Sequence, residues 1–222
     1  MTLVHHLDDA TVVRFASGDL DEAFAVVVAS HLAMCATCRH SVQVAEEIGG
    51  HLLESDAAAD LSDEVFDRTM ARIDEAGDEG ARAPTARHHS DVGDATIPAP
   101  LLRFVGSKLD AIKWRSVAPG VKKHPIELNS ATNSSLYMLH IAPGKAVPEH
   151  GHGGAEVTLI LTGAYRDALG RFGPGDIADL DEHVEHQPIV EPGEACICLV
   201  ATEAPTRFKG VLSRLLQPLV GI

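Results

Sequence analysis

The sequence lacks the features that mark secreted and membrane-spanning proteins. No apolar run reaches the roughly 18 residues that a transmembrane helix needs, and no signal peptide precedes Met1–His6. The 222 residues include four cysteines, arranged as one Cys-x-x-Cys and one Cys-x-Cys, which is unlike the framework of a disulfide-stabilised secreted domain. We therefore expect a soluble, cytoplasmic protein that has no membrane partner.

Basic residues are also scarce, because 18 Lys and Arg stand against 32 Asp and Glu, for a net charge of −14. The imbalance is concentrated in residues 1–85, where 17 acidic and 5 basic side chains leave a charge of −12. A region this acidic repels nucleic acid and attracts a basic protein surface. We predict no direct contact with nucleic acid and a basic protein partner. Ordinary solubility is the alternative explanation of the charge.

No long helical period occurs after Pro100. Short apolar runs punctuated by Pro-Gly pairs, a pattern typical of strands and turns, recur there at residues 135–141, 157–161 and 195–200. The length and the 45% hydrophobic content suffice for two small domains. We predict an α+β, multi-domain chain with a helical domain at 1–85, a linker at 86–99 and an all-β domain at 100–222.

Four helices are predicted in the first domain, beginning near Asp8/Asp9, Asp19–Asp21, Cys38 and Ser62. The third is expected to end at Gly49-Gly50. The fourth carries an apolar stripe at helical spacing, made of Val65, Phe66, Met70 and Ile73. This stripe either packs on the other three helices or belongs to an arm that grips a partner.

The first domain contains a candidate zinc site around Cys35 and Cys38. Cys-x-x-Cys places two thiolates around one metal, and His31 lies one helical turn upstream. A closed tetrahedral site needs a fourth ligand, which His6 can supply if the N-terminus folds back. The alternatives for that position are His5 and His40. A thioredoxin-type redox pair is the competing interpretation, but no βαβ pattern surrounds the cysteines; two buried structural thiols are a third.

The second domain contains a candidate site at His150-Gly-His152 followed by Glu156. The two imidazoles project to one side of an extended segment, and Glu156 lies a further even step along the chain. Two neutral imidazoles and a carboxylate suit zinc, iron or manganese. The alternative is a glycine-rich loop with surface histidines.

The run from Gly144 to Gly163 resembles the first motif of the cupin superfamily: glycine, five residues, His-x-His, three residues, glutamate, six residues, glycine. A less faithful second motif follows in Gly173-Pro-Gly-Asp176 and a fourth histidine, for which His183 and His186 compete. We favour His186, because His186-Gln-Pro resembles the family's ligand-x-Pro pattern, although the asparagine that some cupins carry is absent. The resemblance implies a small β-barrel that holds one metal on four residues, namely His150, His152, Glu156 and His186.

Cys196 and Cys198 share one face of a predicted strand, directed either inward or outward. We interpret them as small core residues. A redox-sensitive pair is the alternative, although adjacent strand positions are poorly placed for an unstrained disulfide.

The N-terminal part resembles the zinc-binding anti-sigma factors, in Ala-Ser-Gly-Asp-Leu-Asp-Glu-Ala-Phe (16–24) and in Ala29-Ser-His-Leu-Ala-Met-Cys-Ala-Thr-Cys-Arg39. A zinc module joined to a cupin is the architecture of the ChrR-like anti-sigma factors, and the resemblance covers nearly the whole chain. It implies a structural zinc on four residues, His6, His31, Cys35 and Cys38. It also implies zinc or another divalent metal in the cupin.

The resemblance implies a function as well. Such proteins form a one-to-one complex with a group IV (ECF) sigma factor, keep it from RNA polymerase, and release it under singlet oxygen or organic peroxides. We expect no catalytic residues. A cupin-type metal-dependent oxygenase or isomerase is the alternative, because such enzymes use the same ligand set. A metal-storing scaffold is a third possibility.

Overall fold

The computed structural model describes residues 3–76, 97–128 and 134–208. Its first part contains four helices, and a fifth helix opens the C-terminal domain. Their bounds are α1 Asp9–Ala16, α2 Glu22–Met34, α3 Ala36–Ser55, α4 Asp63–Ala76 and α5 Ala99–Val105. Most of the predicted linker, with its His88-His89 pair, lies outside the described residues. The division of the chain at 85 and 100 therefore remains a proposal.

Local side chains determine where the helices begin. Asp8 and Asp21 have extended backbones, and their carboxylates accept hydrogen bonds from Ala10 N and Ala23 N at the starts of α1 and α2. Cys35 separates α2 from α3, and its Sγ accepts a hydrogen bond from Cys38 N at 3.4 Å. The metal-site motif thus also shapes the turn between two helices.

Helix α3 differs from its prediction at both ends. It begins two residues before Cys38 and continues through Gly49-Gly50 to Ser55. Neither glycine has the positive φ that ends a helix, and helix-forming residues such as Leu52 and Glu54 follow them.

The C-terminal domain is built from twelve strands within the described residues. Their bounds are β1 Arg115–Ala118, β2 Val121–Ile126, β3 Ser135–Ile141, β4 His150–Gly151, β5 Glu156–Thr162, β6 Tyr165–Asp167, β7 Gly170–Phe172, β8 Ile177–Leu180, β9 Glu185–His186, β10 Ile189–Val190, β11 Cys196–Thr202 and β12 Arg207–Phe208. All named pairings are antiparallel, in a six-stranded sheet ordered β1-β2-β3-β11-β5-β8 and two three-stranded sheets, β10-β6-β7 and β12-β4-β9.

The prediction of a helical module followed by a β domain is confirmed, with two differences. Helix α5 and a 3-10 turn at Leu109–Ala111 precede the first strand, so the region after residue 100 is not entirely β. They were missed because a helix of seven residues is too short to show a clear apolar period. The described strands also form three sheets and not one closed hydrogen-bonded cylinder.

Strand alternation divides the apolar residues of the six-stranded sheet into two cores. Leu159 of β5 and Leu199 of β11 face the helices, whereas their neighbours Ile160 and Val200 face the interior of the β domain. Cys196 and Cys198 belong to the interior core and are free thiols, which is consistent with their interpretation as core residues.

Helix α2 joins the two domains. It packs on α3 from one side and on α5, β3, β5 and β11 from the other. Its interior residues Val27 and Val28 are fully buried. A helix that is apolar on all sides is typical of a position inside a core, so the helical module and the β domain share one apolar core.

In the described part of the chain, no single helix has the length and apolar character to cross a membrane. The pair α2 and α3 meets the length and composition criteria together, but it bends by 118° at Cys35.

Candidate metal centres

The structure brings His6, His31, Cys35 and Cys38 together, with one potential ligand atom of each within 4.8 Å of the others. His6 comes from the extended segment before α1, and His31 from the last turn of α2. The cysteines lie at the start of α3. Three separate chain segments therefore meet at this point.

The spacing of these atoms fits a tetrahedral ion. Nδ1 of His6 lies 3.3 Å from Cys35 Sγ and 3.5 Å from Cys38 Sγ. A nitrogen and a sulfur bound to one zinc at about 2.1 and 2.3 Å lie roughly 3.6 Å apart in tetrahedral geometry. His31 Nδ1 donates to the carbonyl oxygen of Gly175 at 3.0 Å, because a carbonyl can only accept. Its Nε2 then carries the lone pair, and this buried atom has no hydrogen-bond partner among the described residues.

Burial sets the protonation of this group. It lowers the pKa of His31 to about 4, so the imidazole is neutral at physiological pH. It raises the pKa of the Cys38 thiol to about 11, because a buried thiolate is unfavourable without a nearby positive charge. A divalent cation would supply that charge, and two thiolates with two imidazoles are a donor set that zinc prefers.

The second group is His150, His152, Glu156 and His186, again with potential ligand atoms within 4.8 Å of one another. All four residues are buried inside the β domain. His150 in β4 pairs with His186 in β9, and Glu156 is the first residue of β5. Strand pairing thus completes a site whose first three members are close in sequence.

Hydrogen bonds outside this second group orient its rings. His150 Nδ1 donates to Pro148 O at 2.9 Å, and His186 Nδ1 is 2.9 Å from the buried carboxylate of Asp167. Both Nε2 atoms consequently face the centre, 3.1 Å apart. Two nitrogens at about 2.1 Å from one ion lie roughly 3.0 to 3.4 Å apart, so a shared cation relieves the repulsion between the lone pairs.

The carboxylate completes the second group. Glu156 Oε1 lies 3.6 Å from His152 Nε2 and accepts a hydrogen bond from Thr158 Oγ1 at 3.3 Å. Burial raises the pKa of Glu156 to about 7, and it lowers the pKa values of His150 and His152 to about 4. His150 and His152 are therefore neutral at physiological pH, as metal binding through a ring nitrogen requires, and the carboxyl group of Glu156 is half ionised near neutrality. Nitrogen and oxygen donors select less sharply among divalent metals than thiolates do.

The competing histidines lie elsewhere. His183 is exposed beside Glu182, and His40 is exposed on α3. His5 stacks on Phe172 at 3.9 Å between ring centroids and bonds to Arg171 O. The structure therefore groups the residues that the sequence favoured, although their binding of a metal remains a prediction.

Sequence reasoning missed the residues that support the ligands. Asp167 orients His186, Thr158 bonds Glu156, and Gly175 accepts from His31. Thr158 shares a face with Glu156 by alternation, so the strand pattern could have indicated it. Asp167 and Gly175 are far from their partners in sequence and carry no such signal.

Fold and site together define a class: a cupin domain with a buried three-histidine, one-glutamate group, joined to a helical module that carries a two-histidine, two-cysteine group. Residues 103–205 match the family described as the ChrR cupin-like domain. The chain is 41% identical over 218 residues to the anti-sigma-E factor ChrR of Cereibacter sphaeroides, covering 98% of both chains.

A solved structure agrees with this match. The crystal structure of Rhodobacter sphaeroides SigE in complex with the anti-sigma ChrR superposes with a TM-score of 0.74 at 38% identity, covering 90% of this chain and 99% of that chain. The chain therefore belongs to the ChrR family of anti-sigma factors.

Proposed function

We propose that this protein is a cytoplasmic anti-sigma factor. It binds a group IV (ECF) sigma factor one to one through its N-terminal helices and so keeps that factor from RNA polymerase. Its similarity over nearly the full length to ChrR, and to a ChrR chain solved in complex with SigE, supports this role. The cupin domain acts as a sensor and not as an enzyme.

The observation that carries the proposal is an exposed apolar stripe on each of α3 and α4, and we call the two stripes together the apolar helix face. On α4 it comprises Phe66, Met70 and Ile73, with exposed fractions of 65%, 42% and 59%. On α3 it comprises Val44, Ile48 and Leu52, which are also exposed. Positions spaced by three and four residues on an amphipathic helix are typical of a helix that binds in a partner's groove.

Burial of the apolar helix face would contribute substantially to binding a partner. Full burial of one large apolar side chain contributes about 1.5–3 kcal/mol, so burial of three or four is comparable to the roughly 4–15 kcal/mol that two proteins lose in translational and rotational freedom on association. Monomeric proteins rarely expose such a stripe without a function. The earlier alternative, in which the α4 stripe packs on the other helices, does not agree with the exposure of Phe66 and Ile73.

Charge favours a basic partner. Helix α4 carries five acidic residues, Asp63, Glu64, Asp67, Asp74 and Glu75, against two arginines. By helical spacing Asp63, Asp67 and Asp74 lie beside the apolar stripe of α4, and residues 1–85 as a whole carry −12. A sigma factor binds DNA, and DNA-binding surfaces are basic, so an inhibitor that covers such a surface should be acidic.

The two metals have different roles in this proposal. Zinc on His6, His31, Cys35 and Cys38 is structural, because it ties the N-terminal segment to α2 and α3 with four protein ligands. Zinc or another divalent ion on His150, His152, Glu156 and His186 is the sensor. A cavity of about 420 Å³, lined in part by Glu149, Arg166, Asp167 and His186, opens beside His186.

Release of the sigma factor under singlet oxygen or organic peroxides follows from a change at the sensor. An effector shifts an equilibrium only through different interactions with the two states. Because α2 packs on β3, β5 and β11, movement of the cupin strands can act on the helical module directly. A cupin oxygenase would have no use for the exposed acidic module, and this favours regulation over catalysis.

The test is co-expression of the full-length protein with the ECF sigma factors of its own organism, followed by purification and a transcription assay. We expect a one-to-one complex that is inactive in transcription. Phe66→Ala should weaken the complex by at least tenfold, whereas Val13→Ala, which removes an exposed apolar side chain from α1, should have no effect. Equal affinities for the two variants would rule out α4 as the binding element, and recovery of no sigma factor would refute the proposed function.

A further inference from the structure

The turn between β7 and β8, Gly173-Pro174-Gly175-Asp176, contacts the helical module at the N-terminal metal group. Asp176 N donates to Gly173 O at 2.9 Å, and Gly175 has a φ of +89°, so this is a type II turn. A Cβ atom on Gly175 would lie 2.6 Å from Leu3 Cδ2 and 3.4 Å from Met34 Cε. The positive φ therefore favours glycine at this position, and the N-terminal segment packs directly against it.

The Asp176 carboxylate holds both sides of this contact. One oxygen accepts hydrogen bonds from Val4 N at 2.8 Å and His5 N at 3.1 Å, and the other accepts one from Gly173 N at 2.9 Å. Asp176 is 6% exposed, so these bonds are shielded from water. The same side chain thus closes a cupin turn and fixes the backbone immediately before His6.

The same turn also fixes the second histidine of the group. The carbonyl oxygen of Gly175 accepts the Nδ1–H of His31 at 3.0 Å, which directs Nε2 towards the centre of the group. Two of the four potential ligands, from different segments of the chain, are therefore oriented by one turn of the other domain. Such outer contacts usually contribute about 10–100-fold to metal affinity.

We propose that Asp176 is a positioning residue of the N-terminal metal site, through which the cupin domain sets the affinity of the helical module for its metal. The inference rests on the proposal that His6, His31, Cys35 and Cys38 hold a metal. Its basis is the set of bonds from the turn to the backbone of Val4 and His5 and to the ring of His31.

The position of the turn adds a second consequence. Gly175 N donates to Ile160 O at 2.8 Å, and Ile160 N donates to Asp176 O at 3.1 Å. Ile160 lies in β5, four residues beyond Glu156. If β5 moved at the cupin site, these hydrogen bonds would move the turn with it. By linkage, loss of the N-terminal metal would weaken the docking of the cupin domain on the helical module.

Cobalt binding by the full-length protein tests the inference. A thiolate ligand gives Co²⁺ a near-ultraviolet charge-transfer band, and the cupin group contains no sulfur, so this band reports the N-terminal group. Competition with a chelator of known cobalt affinity then gives the affinity of that group. We expect Asp176→Ala to lower it by about 10–100-fold.

Asp176→Asn should cause a smaller loss. Its amide oxygen still accepts from Val4 and His5, whereas its amide nitrogen cannot accept from Gly173. Val190→Ala is the matched control, because it removes two methyl groups from the β-domain interior and leaves the turn intact. It should lower thermal stability without changing cobalt affinity.

If Asp176→Ala fails to fold, a second variant tests the same contact between the turn and the N-terminal segment by changing the N-terminal segment. His5→Ala removes the ring that stacks on Phe172 and donates to Arg171 O, and should weaken cobalt binding several-fold. Parent-like cobalt affinity in the Asp176 and His5 variants would overturn the inference, as would an equal loss in Val190→Ala. Absence of the thiolate band from the parent protein would instead refute the metal proposal on which it rests.

Discussion

The buried carboxyl group of Glu156 should make metal binding at the cupin site depend on pH. Burial raises its pKa to about 7 in the metal-free protein, so the group must lose a proton to become a ligand whenever the pH is lower. His150 and His152 have pKa values of about 4 and are neutral throughout the range from pH 5 to 8. We therefore expect the titration of Glu156 to contribute a pH dependence of metal binding across this range.

The size of the effect follows from the ionised fraction. With a pKa of about 7, the carboxylate is about 90% ionised at pH 8 and about 10% at pH 6. The apparent affinity should fall about tenfold between these values, equivalent to about 1.4 kcal/mol, and about a hundredfold by pH 5. Above pH 8 it should be constant. The affinity must fall, and not rise, as the pH is lowered, because the metal competes with a proton for the same carboxylate oxygen.

Manganese binding gives a clean assay. Mn²⁺ prefers nitrogen and oxygen donors to thiolates, so it reports the cupin group once zinc fills the N-terminal group. Electron paramagnetic resonance of the free ion measures binding at each pH. Glu156→Gln keeps the shape of the side chain without its titrating proton, so it should bind the metal more weakly and lose the part of the pH dependence that Glu156 causes. Constant affinity of the parent from pH 6 to 8, or an unchanged profile in Glu156→Gln, would refute this reasoning.

Three further predictions concern release, metal content and the docked domains. Glu156→Ala should bind the sigma factor normally but keep it bound under singlet oxygen, so reporter expression stays low; induction at the parental level would remove the cupin metal from the sensing mechanism. Cys38→Ser should reduce the metal content from two ions per chain to one and abolish sigma binding, because the energy of zinc binding contributes to folding in small metal domains. Elemental analysis of chelator-free protein measures the metal content, and two retained ions per chain would contradict the prediction. Leu159→Ala, at the buried contact between β5 and the helices, should lower the free energy of unfolding by about 2–5 kcal/mol in a denaturant titration. Leu169→Ala, at an exposed position, is its control and should change that energy by less than about 0.5 kcal/mol.

Local rules made much of this protein readable from its sequence. The period of two in strands places His150, His152 and Glu156 together, and it separates Ile160 and Val200 from the residues that face α2. Helix capping located the starts of α1 and α2 to within about two residues. Such features depend on neighbours in sequence, so they can be predicted without knowledge of the rest of the fold.

Other features depended on contacts between distant segments. The sequence left His5 and His6 as rivals, and the structure separates them because Asp176 fixes the backbone before His6 while Phe172 stacks on the ring of His5. No local pattern links residue 5 to residue 176. The choice is made by tertiary hydrogen bonds.

Helix α2 shows the same limit in its packing. Its sequence indicates a helix that is apolar on every side, and this predicts burial but not the partner. Only the tertiary structure shows that its second face lies on the cupin sheet, so that the two domains share a core. The sequence determined both metal-ligand motifs and the class of each domain, because these rest on short spacings. The tertiary structure decided how the domains dock and which residues orient the N-terminal group, because those contacts join residues more than a hundred positions apart.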